Sequence, residues 1–140
     1  MPIPAKSPKL YVTLLQPVLV NQVALYLAAK QAHWIVRGPQ FASLHELFGQ
    51  VADSASAAAD TVAERIAQLD GVPSRELPVF EVTNRAGLQL LAQVSAAASE
   101  VARLQLVALT DLMGEGDQVS ANMLLMSWRS DYRSVVCLAA

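Results

Sequence analysis

A single cysteine, Cys137, stands among 140 residues, which excludes an intrachain disulfide framework and fits a reducing compartment, the cytoplasm. With no histidine close to it in the sequence, it reads as a small helical hydrophobe and not as a nucleophile. Charged side chains are scarce, 16% of the chain with a formal balance of −2. The broad basic surface of a nucleic-acid reader is therefore absent, and any such contact must be local or indirect. There are only two histidines, and no internal repeat or low-complexity segment.

What is plentiful is apolar. Hydrophobic residues make up 54%, more than one core needs at a length that supports one domain, so other subunits are expected to cover part of the surface. The uncharged run from Leu10 to Ala29 approaches the ~20 residues of a membrane span, with Lys6 and Lys9 ahead of it as in a signal peptide. Gln16, Asn21 and Gln22 interrupt that run, Pro17 breaks it, and its loss would remove the helix that carries His33. We therefore read it as a helix of a soluble protein without membrane contact.

Residues 1–9, MPIPAKSPK, hold three prolines and two lysines and read as a flexible tail ahead of a single domain from 10 to 140. A helical pattern runs from about Leu10 to Val36, with Leu15, Val18, Leu19, Gln22, Tyr26, Ala29 and His33 on one face. Gly38-Pro39 ends it. The second helix is predicted from Phe41 to Leu69, its small-residue middle suited to close approach, with Asp70-Gly71-Val72-Pro73 as its stop. After a connection over 70–83, with at most a turn or so of helix near Thr83 to Leu91, a third helix reaches about Met113. Its inner face includes Leu90, Val94, Ala97, Val101, Leu104 and Ala108. Gly114-Glu115-Gly116-Asp117 reads as a turn, and a last helix runs from Gln118 to Leu138 with Met123, Leu124, Met126, Trp128, Tyr132, Val135 and Val136. The class is all-α, a four-helix bundle with a central crossover connection.

His33 and His45 lie twelve residues apart across the Gly38-Pro39 break. On the second helix His45, Asp60 and Glu64 share a face, because fifteen residues at ~100° end only ~60° from the start and four more add ~40°. Two imidazoles and two carboxylates on one surface suit iron, zinc or manganese better than calcium. The competing reading leaves the metal out and has His33 and His45 as interface histidines hydrogen-bonded to Asp60 and Glu64.

The run His33-Trp34-x-Val36-x-Gly38-Pro39-x-Phe41-x-x-Leu44-His45-Glu46-Leu47-Phe48 closely resembles the signature of the Dps family, DNA-binding proteins of starved cells within the ferritin-like superfamily. Asp60-x-x-x-Glu64-Arg65 and then Asp70-Gly71-Val72-Pro73 continue it in register. The resemblance covers residues 10 to 75 well and the rest through helix pattern. It implies a ferritin-like bundle and a homo-oligomeric shell, a dodecamer. It also implies a ferroxidase that oxidises iron(II), preferentially with hydrogen peroxide, stores the ferric product and protects DNA. The metal site, di-iron or mono-iron with zinc as a possible substitute, would take His33 and His45 from one chain and Asp60 and Glu64 from its two-fold partner. Trp34 would stand beside the site as a radical-intercepting aromatic or pack at the interface. Lys6 and Lys9 would carry a weak DNA contact, multiplied over many copies and placing the shell on the nucleoid.

Three departures qualify that expectation. The family usually has a carboxylate four residues after the second histidine, where this chain has Gly49; Glu46 and Asp53 are the nearby substitutes, and altered metal occupancy is the expected consequence. At the start of the last helix Asp117, with Asn122 and Met126, would make a weakly acidic pore. The end, RSDYRSVVCLAA, lacks the usual acidic, lysine-containing and tryptophan pattern. The alternative function is thus a ferritin-like shell with weakened catalysis that binds DNA or serves as a scaffold. A third reading is a shell that holds zinc structurally.

Overall fold

The structure, a computed structural model, describes residues 8–131 and the side chains of 8–126. Four helices, α1 (Pro8–Ile35), α2 (Phe41–Gln68), α3 (Gly87–Glu115) and α4 (Gln118–Asp131), form the bundle in that order. The predicted extension of α4 to Leu138, with Tyr132, Val135 and Val136, lies outside the described residues, as do the side chain of Trp128, Cys137 and Lys6. α1 begins two residues earlier than expected. Pro8 takes the first helical position, where its missing N–H is no loss, so Lys9 belongs to the first turn of a helix and not to a tail.

α1 and α2 form one hairpin, α3 and α4 the other. The Tyr11 hydroxyl donates to Glu115 O (3.1 Å), and Arg37 N donates to Arg85 O (3.0 Å) in a short parallel bridge between Arg37 and Ala86. These contacts put the start of α1 beside the end of α3, and the end of α1 beside the start of α3. α2 and α3 therefore point the same way, and their connection, residues 69–86, travels the length of the bundle. A 28-residue helix is ~42 Å long, and the connection reaches roughly 60 Å fully extended. A two-turn helix would consume roughly two thirds of that slack, and residues 69–86 hold no helix. Gln16 holds this segment near its start, donating to Val72 O and accepting from Ser74 N. Gln93 Oε1 holds its end by accepting from Thr83 N and Asn84 N.

The core has two parts. One, at the α1–α2 turn, gathers Leu25, Phe48, Val82, Leu90 and Val94; the other, at the opposite end, gathers Leu15, Val62, Ile66, Leu112 and Leu124. Each such side chain, fully removed from water, contributes about 1.5–3 kcal/mol. Gln22 and Gln105 are also buried, Gln22 Nε2 donating to Gln105 Oε1 (2.8 Å) and Gln105 Nε2 to Leu124 O (2.9 Å). α1 is long and apolar enough to cross a membrane by length and composition, and its buried apolar residues supply both parts of this core.

The helix ends use the expected residues in unexpected roles. At the end of α2, Gly71 N donates to Ile66 O and Asp70 N to Ala67 O, the paired bonds of a Schellman cap. The left-handed position belongs to Asp70 (φ 62°) and not to the glycine. Gly71 is needed for space, since a Cβ there would lie 2.8 Å from Val12 and 2.9 Å from Ile66. α3 continues through Gly114 and Glu115, leaving only Gly116 (φ 87°) and Asp117 to make the turn.

Candidate metal centre at the histidine pair

His33 stands in the last turn of α1 and His45 in the first turns of α2, so the short hairpin brings them face to face. Their rings stack with centroids 3.6 Å apart and planes 17° from parallel. Phe41, one turn before His45, lies over the other face of its ring at 4.9 Å. His33 Nδ1 donates to His45 O (2.6 Å), and His45 Nδ1 donates to His33 O (2.7 Å). A carbonyl oxygen can only accept, so each Nδ1 carries a proton and the Nε2 of each ring is left for a ligand. Backbone carbonyls are frequent outer partners of metal-binding histidines because they fix tautomer and ring orientation. The donor chemistry of the pair fits a divalent transition metal.

The rest of the expected ligand set lies elsewhere in the chain. Along α2, Asp60 is ~22 Å and Glu64 ~28 Å from His45, and both are exposed. Sharing a helical face does not bring these four residues together within one chain, so in the metal-bound and the metal-free reading alike Asp60 and Glu64 would come from a second copy. Among the described residues no three His, Cys, Asp or Glu side chains are grouped to hold a metal, so neither Glu46 nor Asp53 supplies a third ligand beside the pair.

Gly49 adjoins the pair. A Cβ on it would lie 3.3 Å from His33 Nδ1 and 3.4 Å from His33 Cε1, so the ring of His33 packs closely against α2 at this position. The repeat Phe41, His45, Gly49, aromatic, aromatic and void on one helix face, was the available signal. Trp34 is 68% exposed.

At the other end Asp117 does not line an opening. Its side chain is 3% exposed because Oδ1 caps α4 by accepting from Ser120 N (3.1 Å) and also accepts from Arg65 (3.4 Å). Arg65 Nε donates in turn to Ser120 Oγ (2.9 Å). Asn122 and Met126 remain exposed.

The ferritin-like domain family model matches residues 12–131. The chain is 32% identical over 83 residues to a DNA protection during starvation protein of Agrobacterium fabrum, covering 59% of this chain and 51% of that one. Another such protein, from Brevibacillus brevis, is 40% identical over 65 residues, 46% of this chain and 44% of that one. The chain thus spans about half the length of the curated relatives it matches. The fold follows that of Dps from Mycobacterium smegmatis with a TM-score of 0.86 at 24% identity, over 99% of this chain and 88% of that one. With the four-helix fold continuing through the half where sequence resemblance is weak, the chain belongs to the Dps family of the ferritin-like superfamily.

Proposed function

We propose that this chain is a mini-ferritin of the cytoplasm that binds and oxidises iron(II) with hydrogen peroxide, stores the ferric product in a homo-oligomeric shell, a dodecamer, and protects DNA. Iron is the substrate. His33 and His45 of one protomer and Asp60 and Glu64 of a second copy would hold it, as family membership implies. The observation that carries the reading is the histidine pair, whose Nδ1 atoms are anchored on carbonyls while Nε2 is left for a metal. Two iron(II) ions give up one electron each, the peroxide O–O bond breaks, and two protons complete two waters, so no hydroxyl radical leaves the site.

Assembly follows from unfinished surface. Trp34, Val79, Leu106, Met113 and Met126 are large, apolar and exposed, and a groove of about 120 Å³ lies between α1, at Leu27 and Gln31, and the connection, at Leu77 to Phe80. Such surface is rarely left bare on a monomer. Stopped-flow absorbance of iron(II) oxidation by peroxide tests the enzyme. Alanine at His33, His45, Asp60 or Glu64 is expected to lower the rate by tenfold or more. Unchanged rates in all four variants would sink the proposal.

The alternative, a shell of weakened catalysis that binds DNA or acts as a scaffold, is favoured by Gly49, where no carboxylate stands. Gel shifts across salt concentrations, comparing the full chain with one lacking residues 1–9, separate the readings. Binding at low salt that disappears with the tail supports a contact through Lys6 and Lys9.

A further inference from the structure

We propose that residues 77–82 of the connection are an unpaired β-strand whose partner is the same segment of a second copy, running antiparallel across a two-fold axis. The inference rests on the homo-oligomer of the proposed function and not on its iron chemistry.

The segment already has a strand's local form. Residues 71–85 contain no turn or bend, and in the run Val79-Phe80-Glu81-Val82-Thr83 every residue but the glutamate is a type that favours strands. From Leu77 to Thr83 exposure alternates. Leu77, Val79, Glu81 and Thr83 are exposed, whereas Pro78 and Phe80 are half-buried and Val82 is buried. That is the two-residue period of a pleated strand with one face on the protein, here on α1 and the core of the histidine end. Bonds from Gln16 hold the connection at Val72 and Ser74, and Gln93 holds it at Thr83 and Asn84. Between these anchors no backbone N–H or C=O of residues 77–82 meets a partner among the described residues. An extended β-former with bare edges is a template for another strand.

The two edges differ. Along a strand successive N–H and C=O groups point to opposite sides, so Leu77, Val79 and Glu81 offer theirs on one edge and Pro78, Phe80 and Val82 on the other. Pro78 has no N–H, which blunts the second edge; the first keeps all its donors. With a two-fold axis at Val79, Leu77 would face Glu81 of the second copy, and with the axis at Phe80, Val79 would face that glutamate. Only the axis at Pro78 matches the outward side chains. Leu77 then lies opposite Val79 of the second copy, Val79 opposite Leu77, and Arg75 opposite Glu81. The apolar pairs cover side chains that are 48% and 84% exposed in the single chain, and Pro78 meets its own copy where no N–H is needed. Leu27, Gln31 and Trp34, an exposed stripe of α1, continue this surface toward the histidine pair. Such a contact is isologous and closes on itself.

The test is amide hydrogen exchange of the assembled full-length protein, labelled with ¹⁵N, exchanged in D2O, quenched and read residue by residue by NMR. The N–H groups of Leu77, Val79 and Glu81 are expected to exchange at least about tenfold more slowly than those of Phe80 and Val82. No protection, or equal protection from 77 through 82, overturns the proposal. Val79→Pro removes the N–H that each copy donates, at an exposed, extended position that tolerates proline, and Val79→Thr keeps it. In sedimentation, Val79→Pro should weaken association about tenfold or more and Val79→Thr by no more than about threefold; equal association in the two variants overturns the proposal. Alternating protection that persists in a sample sedimenting as monomer means a strand of the same chain and overturns the second copy as partner. Alternating protection in a shell that fails to oxidise iron(II) supports the pairing and counts against the iron reading alone.

Discussion

Two ends of the same bundle use polar side chains in opposite ways. Where α2 ends and α4 begins, Arg65, Asp117 and Ser120 turn toward one another and bond within the chain. Where α1 turns into α2, His33 and His45 each give one nitrogen to the backbone and hold the other back. The first arrangement is held within one copy, with Asp117 Oδ1 shared by Arg65 and Ser120 while Oδ2 is buried without a partner among the described residues; the second awaits something from outside. The difference teaches that burial and partner count separate a structural polar group from a functional one better than residue type does. Asp117 looked like a pore acid until Arg65, fifty-two residues away, was seen beside it.

Mutation can sharpen or break this contrast. Phe48→Ala, in the core beneath the histidine end, is expected to cost about 3–5 kcal/mol, read from urea unfolding at fixed protein concentration. Arg65→Ala should cost about 2–3 kcal/mol by leaving a buried carboxylate poorly paired, while iron(II) binding stays intact. A loss of iron binding in that variant would erase the distinction between the ends. Gln22→Leu should cost about 1–3 kcal/mol, and Gln22→Leu with Gln105→Leu less than the sum of the two single costs, since both single variants lose the same amide bond. If instead the double variant unfolds in two transitions, the amide pair couples two separable cores. Smallest is Asp70→Gly, which relieves a left-handed backbone and should stabilise by up to about 1 kcal/mol.

Much of the fold was legible because its punctuation is local. Gly38-Pro39, Asp70 to Pro73 and Gly114 to Asp117 placed most helix ends within two residues, and the 3.6-residue period named much of the inner faces of α1 and α3, although Tyr26, His33 and Leu104 are only half-buried. The histidine pair was legible too, from spacing across one short turn. What the sequence concealed is set by non-local contact. Gly49 is understood only with the ring of His33 against it, Gly71 only with Val12, and the helix-free connection only from the distance it must cover. The shared face of His45, Asp60 and Glu64 was real, yet angular agreement says nothing of the ~22 Å along the axis.

That connection also acts as a ruler. With ~42 Å to cover and roughly 60 Å of reach, it can lose about five residues before the start of α3 no longer arrives beside Arg37. Its length thus fixes which pairing of the two hairpins the chain can reach, and any insertion here would add surface along the flank of α1 while leaving the histidine pair untouched.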